Sequence, residues 1–206
     1  MLGPRLSIFA VAALAVSGCT TVRTTSPLRS AQEELLISTA ADRAATALAA
    51  QMPTGIRAYL DTSDFGAQDG QYAIAAIQDA FLRRGLLMAA DRSQADTVVI
   101  VRTGVLATDE RSTLIGTPAF VPPILPTVTI PEIALYKDAV NKGVAKFAAT
   151  AYDPKTGKLI VSTDPAYGFS WSSSGTILFL FSWEKSDTGV QTDEQPVVVT
   201  KPVPEK

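Results

Sequence analysis

Val98-Val99-Ile100-Val101 is apolar at four consecutive positions. A strand with one wet face alternates, so a run of β-branched residues without alternation requires a strand covered on both sides. The residues before it supply the rest of such a unit. Ile56 to Asp61 alternates, with Ile56, Ala58 and Leu60 on one face and Arg57, Tyr59 and Asp61 on the other. A helix from about Gly70 to Arg84 then carries Ile74, Ile77 and Phe81 on one side and stops at Gly85. Leu86-Leu87-Met88 restarts a strand, and Thr97 to Leu106 follows. Strand, helix and strand in this order predict a right-handed parallel crossover.

A further helix is predicted ahead of this unit. Ser30-Ala-Gln-Glu33 has the spacing of a capping box. The helix runs from Ala31 to about Gln51, with Leu36, Ala40, Ala44, Ala47 and Leu48 as a narrow stripe of mostly small residues, and Pro53 and Gly55 end it. After the crossover, Ser112 to Pro131 reads as a long proline-stiffened loop, and Pro131-Glu132 as the start of a short helical turn reaching Val140. Val144 to Tyr152 and Lys158 to Thr163 form a hairpin about Asp153-Pro-Lys-Thr-Gly157. Tyr167, Phe169 and Trp171 alternate with Gly168, Ser170 and Ser172, Ser172 to Gly175 turns the chain, and Ile177 to Phe181 is a last strand. The expected fold is α/β to α+β: a single mixed sheet of about five to six strands with two main helices packed on it.

Segment composition divides the chain into residues 1–18, an export signal with basic Arg5 and an apolar run Ile8 to Val16; residues 19–29, a polar tether; residues 30–185, one domain; and residues 186–206, a polar tail without a packing period. The apolar run is shorter than the roughly 20 residues a spanning helix needs.

The 206 residues include no histidine and a single cysteine, Cys19. The domain therefore has no disulfide and depends on apolar packing. Histidine-based triads, Cys-His dyads and the usual zinc sites are excluded with it, leaving carboxylates, lysine or a Ser-Lys pair for any chemistry. No phosphate-binding glycine loop occurs. A formal charge of −2, with no basic cluster longer than Arg83-Arg84, gives no footprint for nucleic acid. No catalytic residue, cofactor or metal ligand is assigned.

Five groups are weighed as sites. The loop Thr117 to Pro131 either covers the core or offers an envelope protein partner an apolar docking surface. Tyr167, Phe169 and Trp171 either pack in the core, the ordinary fate of rings on one strand face, or form a platform for glycan or peptide. Ile177 to Trp183 reads as a buried central strand, with a membrane-dipping segment as the alternative. Asp61, Asp64 and Asp69 lack calcium-loop spacing and read as turn and capping residues. Lys137, Lys142 and Lys146 read as surface lysines.

Val16-Ser17-Gly18-Cys19 resembles the lipobox of bacterial lipoproteins. The resemblance implies a diacylglycerol on the Cys19 thiol, cleavage before it, and acylation of the new amine. Two or more acyl chains are needed for lasting attachment. Thr20, in place of aspartate, implies passage to the outer membrane in lipoproteins of enteric type. The blocks Ser30-Ala-Gln-Glu-Glu-Leu-Leu36, Ala95-Asp96, Leu114-Ile-Gly-Thr-Pro118 and Pro131-Glu-Ile-Ala-Leu-Tyr-Lys137 resemble an uncharacterised family of bacterial envelope lipoproteins. The strand-helix-strand unit is similar in architecture to periplasmic α/β domains of the penicillin-binding-protein-activator and curli-secretion lipoproteins. The family resemblance brings no activity with it; the lipobox combined with the missing catalytic equipment leads to the expectation of a lipid-anchored, non-catalytic binding or assembly factor on the periplasmic face of the outer membrane, touching the membrane through Cys19. The alternatives are a carboxylate-dependent cell-wall glycan hydrolase and a subunit of a homo-oligomeric envelope ring.

Overall fold

The computed structural model describes residues 29–67, 70–123, 129, 130, 132–178 and 180–189. Helix α1 (Ala31–Ala49) is followed by β1 (Arg57–Asp61), α2 (Gly70–Arg84), β2 (Leu87–Met88), a short 3-10 turn at Arg92–Gln94, β3 (Thr97–Thr117), β4 (Ile133–Tyr152), β5 (Leu159–Ser162), β6 (Ala166–Ile177) and β7 (Phe181–Ser186). The expected single mixed sheet with two helices is present, and it has seven strands in the order β2-β1-β3-β4-β6-β7, with β5 also paired to β4. β1 runs parallel to both β2 and β3, as the crossover requires. The remaining pairings are antiparallel.

The order of burial follows from which residues are small. Leu36, Ala40, Ala44 and Leu48 of α1 are fully buried, and Ala47 is partly so. Opposite them the sheet presents Gly143, Gly168, Ser170 and Ser172. The α1 backbone rests on this smooth floor: a β-carbon on Gly168 would stand 1.9 Å from the Ala40 carbonyl oxygen, and one on Gly143 would stand 2.4 Å from that of Leu36. The Ser170 hydroxyl donates to the Leu36 carbonyl at 2.6 Å, tying the two layers at that height. Beyond this contact the core is closed by Phe81 and Ile77 of α2, Phe147 of β4, and Val99 and Val101 of β3. Each such ring contributes about 2–3 kcal/mol by leaving water.

The hairpin at Asp153–Gly157 forms as its residues predict. Asp153 accepts from the amides of Lys155 at 2.8 Å and Thr156 at 3.4 Å, and from the Thr156 hydroxyl at 2.8 Å. The Lys155 amide, then the Thr156 hydroxyl, hold its carboxyl below the ordinary range. Gly157 supplies the left-handed residue, φ 69°.

Three segments differ from expectation. Ser112 to Thr117 is not loop but the end of β3, in register with Asp138, Lys137, Tyr136 and their neighbours on β4. The helical turn expected from Pro131 to Val140 is absent over the described part, and Pro131 itself lies outside the described residues. Ile133 to Val140 belongs to a 20-residue strand, because ladder pairing on both sides outweighs the helix propensity of its Ala, Leu and Lys residues. Ser172 to Gly175 is likewise strand, held between β4 and β7, and the turn residues are instead Leu178 and Leu180. Packing continues past residue 185: Ser186 ends β7, and Asp187 is bound by Arg43.

Candidate interaction surface

Strands β3, β4, β6 and β7 run well beyond the helices. Helix α1 lies antiparallel to β6, with Gln51 near Asp164, Ala40 over Gly168, Leu36 at Ser170 and Gln32 donating to Ser172 at 3.0 Å and Glu184 at 3.2 Å. The last contact marks where the helical cover stops. From Ser172 to Ile177 the sheet continues five residues further, about 17 Å at 3.4 Å per residue.

At that free end the register aligns four apolar residues straight across four strands: Ile115, Tyr136, Ile177 and Phe181. Around them Phe120, Val121, Ile133, Leu135, Leu178 and Leu180 are also exposed, Leu180 at 79% and Phe181 at 68%. A bridge between Phe120 and Ile130 closes the β3–β4 connection over the same end. The turn itself is made by leucine. Leu178 has φ 49°, a conformation that glycine or asparagine adopts at far lower cost, and its amide donates to the Leu135 carbonyl at 2.9 Å. Two positions inward of the Ile177–Phe181 pair, the ring of Trp183 lies across Gly175, where a β-carbon would meet it at 2.1 Å.

Tyr167, Phe169 and Trp171 are not core residues. They are 49%, 58% and 40% exposed, on the sheet face away from α1. The cause is the floor under the helix, which leaves room only for Gly168, Ser170 and Ser172 and so sends the rings to the other side. There Tyr167 and Phe169 stack with centroids 6.2 Å apart, and the Lys146 ammonium sits 5.5 Å over the Tyr167 ring. Ile177 to Trp183 is not a buried central strand either. It is an exposed hairpin turn and its edge strand.

The other groups resolve into local structure. Asp61 accepts from the Ser63 hydroxyl at 2.7 Å and amide at 3.1 Å, and those bonds, the hydroxyl first, hold its carboxyl below the usual range. Asp64 is exposed beside it, and Asp69 lies outside the described residues. Lys137 pairs with Glu132 at 2.9 Å, Lys142 stands between Asp109 and Trp171 in the register, and Lys146 covers Tyr167, so the three lysines do not converge. Cys19, residues 1–28, residues 124–128, Pro131 and the tail from residue 190 also lie outside the described residues. No group of three metal-binding side chains occurs among the described residues, and no helix there is long and apolar enough to cross a membrane.

An open groove of about 520 Å³ lies between α1, α2 and β3, lined by Leu35, Ile37, Tyr72 and Leu106 among others. The Tyr72 hydroxyl donates to the Asp42 carboxylate at 3.1 Å; burial first, and that carboxylate second, raise its pKa. Leu35 and Ile37, outside the narrow stripe, were the available signal for a broader apolar face.

The model of a family described as "Family of unknown function (DUF6655)" matches residues 13–171. No curated protein matches the chain.

Proposed function

The chain belongs to that family of unknown function, so its role rests on its own residues, and we propose that it is a lipid-anchored, non-catalytic protein of the bacterial envelope that acts as a binding or assembly factor at the periplasmic face of the outer membrane. The observation that carries the reading is Val16-Ser-Gly-Cys19 behind a short apolar run, in a chain whose one cysteine is at that position. Two further facts support it. The chain has no histidine for the commonest hydrolytic and metal chemistries, and its folded part presents an apolar sheet end and an aromatic face where a soluble monomer rarely exposes contiguous apolar area.

Radiolabelled palmitate should enter the wild-type protein and not Cys19→Ala. Equal labelling of both, or of neither, overturns the anchor. In crosslinked envelopes, the wild-type protein should recover a reproducible partner through the exposed apolar surface; recovery of monomer only overturns the assembly role. The edge of β7, unpaired among the described residues, favours a second reading, a subunit of a homo-oligomeric ring. Sizing of the detergent-solubilised chain separates the two.

A further inference from the structure

We infer that the free end of the sheet is seated in the surface of a lipid bilayer, with Ile115, Ile177, Leu178, Leu180 and Phe181 below the headgroups and Trp183 at their level. This deepens the reading of a moored protein and rests on it only for the reach of the tether.

Four observations converge on a bilayer as the occupant. First, no charged residue interrupts Ile177 to Ser182, while Glu184 and Lys185 follow immediately. The same change occurs on β4, where Ile133-Ala-Leu-Tyr136 gives way to Lys137-Asp138. Across the sheet Lys137 is level with Ser182, and Glu184 lies two residues further from the end, so the first charges inward of the apolar rows on β4 and β7 fall within about 7 Å of one another in height, a narrow step that a planar medium accommodates. Second, Trp183 stands two residues behind Phe181, about 7 Å from the tip, at the depth where an amphipathic ring meets headgroups. Third, the turn is built from leucine at a left-handed position, φ 49°, where a solvent-facing turn takes glycine or asparagine. A turn that must stay apolar explains that choice. Fourth, the chain enters α1 on the tip side, near Ser172 and Glu184. Cys19 precedes Ala31 by twelve residues, a contour of at most about 43 Å, against the roughly 17 Å separating the start of α1 from the tip. The contour is thus long enough for a lipid on Cys19 to reach the membrane in which the sheet end is seated.

One charge, Glu132, stands ahead of Ile133 on the outer side of the apolar row, and its ion pair with Lys137 at 2.9 Å offsets it. Seating should therefore depend on apolar contact and not on anionic lipid.

The test reads depth at Trp183. The mature chain carrying Trp171→Phe, which leaves Trp183 as the one tryptophan, is reconstituted into phosphatidylethanolamine and phosphatidylglycerol vesicles whose acyl chains are brominated near the headgroup. Fluorescence should fall by half or more against unbrominated vesicles, equally at low and high salt. Adding Phe181→Asp and Leu180→Asp should abolish that difference while the protein still floats with the vesicles. Quenching by aqueous iodide alone overturns the seating. So does shielding from both quenchers that disappears when each vesicle holds one copy, which would make a second copy of the chain the occupant. Flotation compared between wild type and Cys19→Ser reads the anchor separately, and Trp183 depth reports the tip however the N-terminus is held.

Discussion

Leu178 spends stability on its position. A left-handed backbone costs a non-glycine residue about 1–2 kcal/mol, part of which asparagine avoids. Leu178→Asn should therefore stabilise the isolated protein by about 0.5–1 kcal/mol, read as a raised thermal midpoint in detergent-free buffer. An unchanged or lowered midpoint would mean that the leucine side chain packs well enough to offset its backbone. At the same scale lies the reason that the rings of β6 face solvent although their spacing predicts burial. Tyr167, Phe169 and Trp171 have the spacing of core rings, and nothing within β6 says which face is covered. The answer lies 126 residues away in Arg43 and its neighbours on α1, whose small side chains match Gly168 and not a ring.

The contact of α1 with β6 is backbone against backbone, so it tolerates no added atom. Gly168→Ala should cost about 3 kcal/mol, since neither the Ala40 carbonyl nor the Ala44 amide has a flexible end that yields. Urea unfolding of the variant checks this, and a loss below 1 kcal/mol would show that the helix slides freely. The edge of the same layer is latched by Asp187. Its carboxylate accepts from the Trp171 amide at 2.7 Å and from Arg43 at 2.5 Å, while Arg43 also donates to the Phe169 and Asp187 carbonyls. Burial pushes the carboxyl up, but the Trp171 amide and the Arg43 guanidinium together hold it below its ordinary value. A carboxylate depressed on folding stabilises above its unfolded pKa and loses that contribution as pH falls through the folded one. Asp187→Asn should thus be less stable than wild type near neutral pH, with the gap closing below about pH 4. A gap that persists in acid would assign the effect to packing.

Across the whole molecule, protection should be graded along the sheet. The inner halves of β3 and β4 lie under α1 and α2, whereas among the described residues the partners of their outer halves are the strands of the sheet itself. Amide hydrogen exchange should slow from Thr117 toward Val101 along β3, and from Ile133 toward Ala149 along β4, and a uniform profile would contradict it. This division also marks what was legible in the sequence. Where a helix covers a strand, the hydrophobic period records it: α1, β1, α2, the Val98–Val101 run and the Asp153–Gly157 hairpin were all read from their residues. Beyond the helices that record stops, because Ser172 to Gly175 and Ile133 to Val140 owe their extended form to pairing partners distant in sequence. The apolar end was visible only in pieces, as a proline-rich loop and a supposed last strand, until the register put Ile115, Tyr136, Ile177 and Phe181 side by side.

Because α1 lies antiparallel along β6 and is gripped at Ser172, Ser170, Gly168 and Asp164 in turn, tension applied to the chain ahead of Ala31 acts lengthwise on the helix. The load is shared by all four grips at once and must shear the layer instead of unzipping it. A pull on Ala31 along the helix axis should therefore meet more resistance than one directed across the layer.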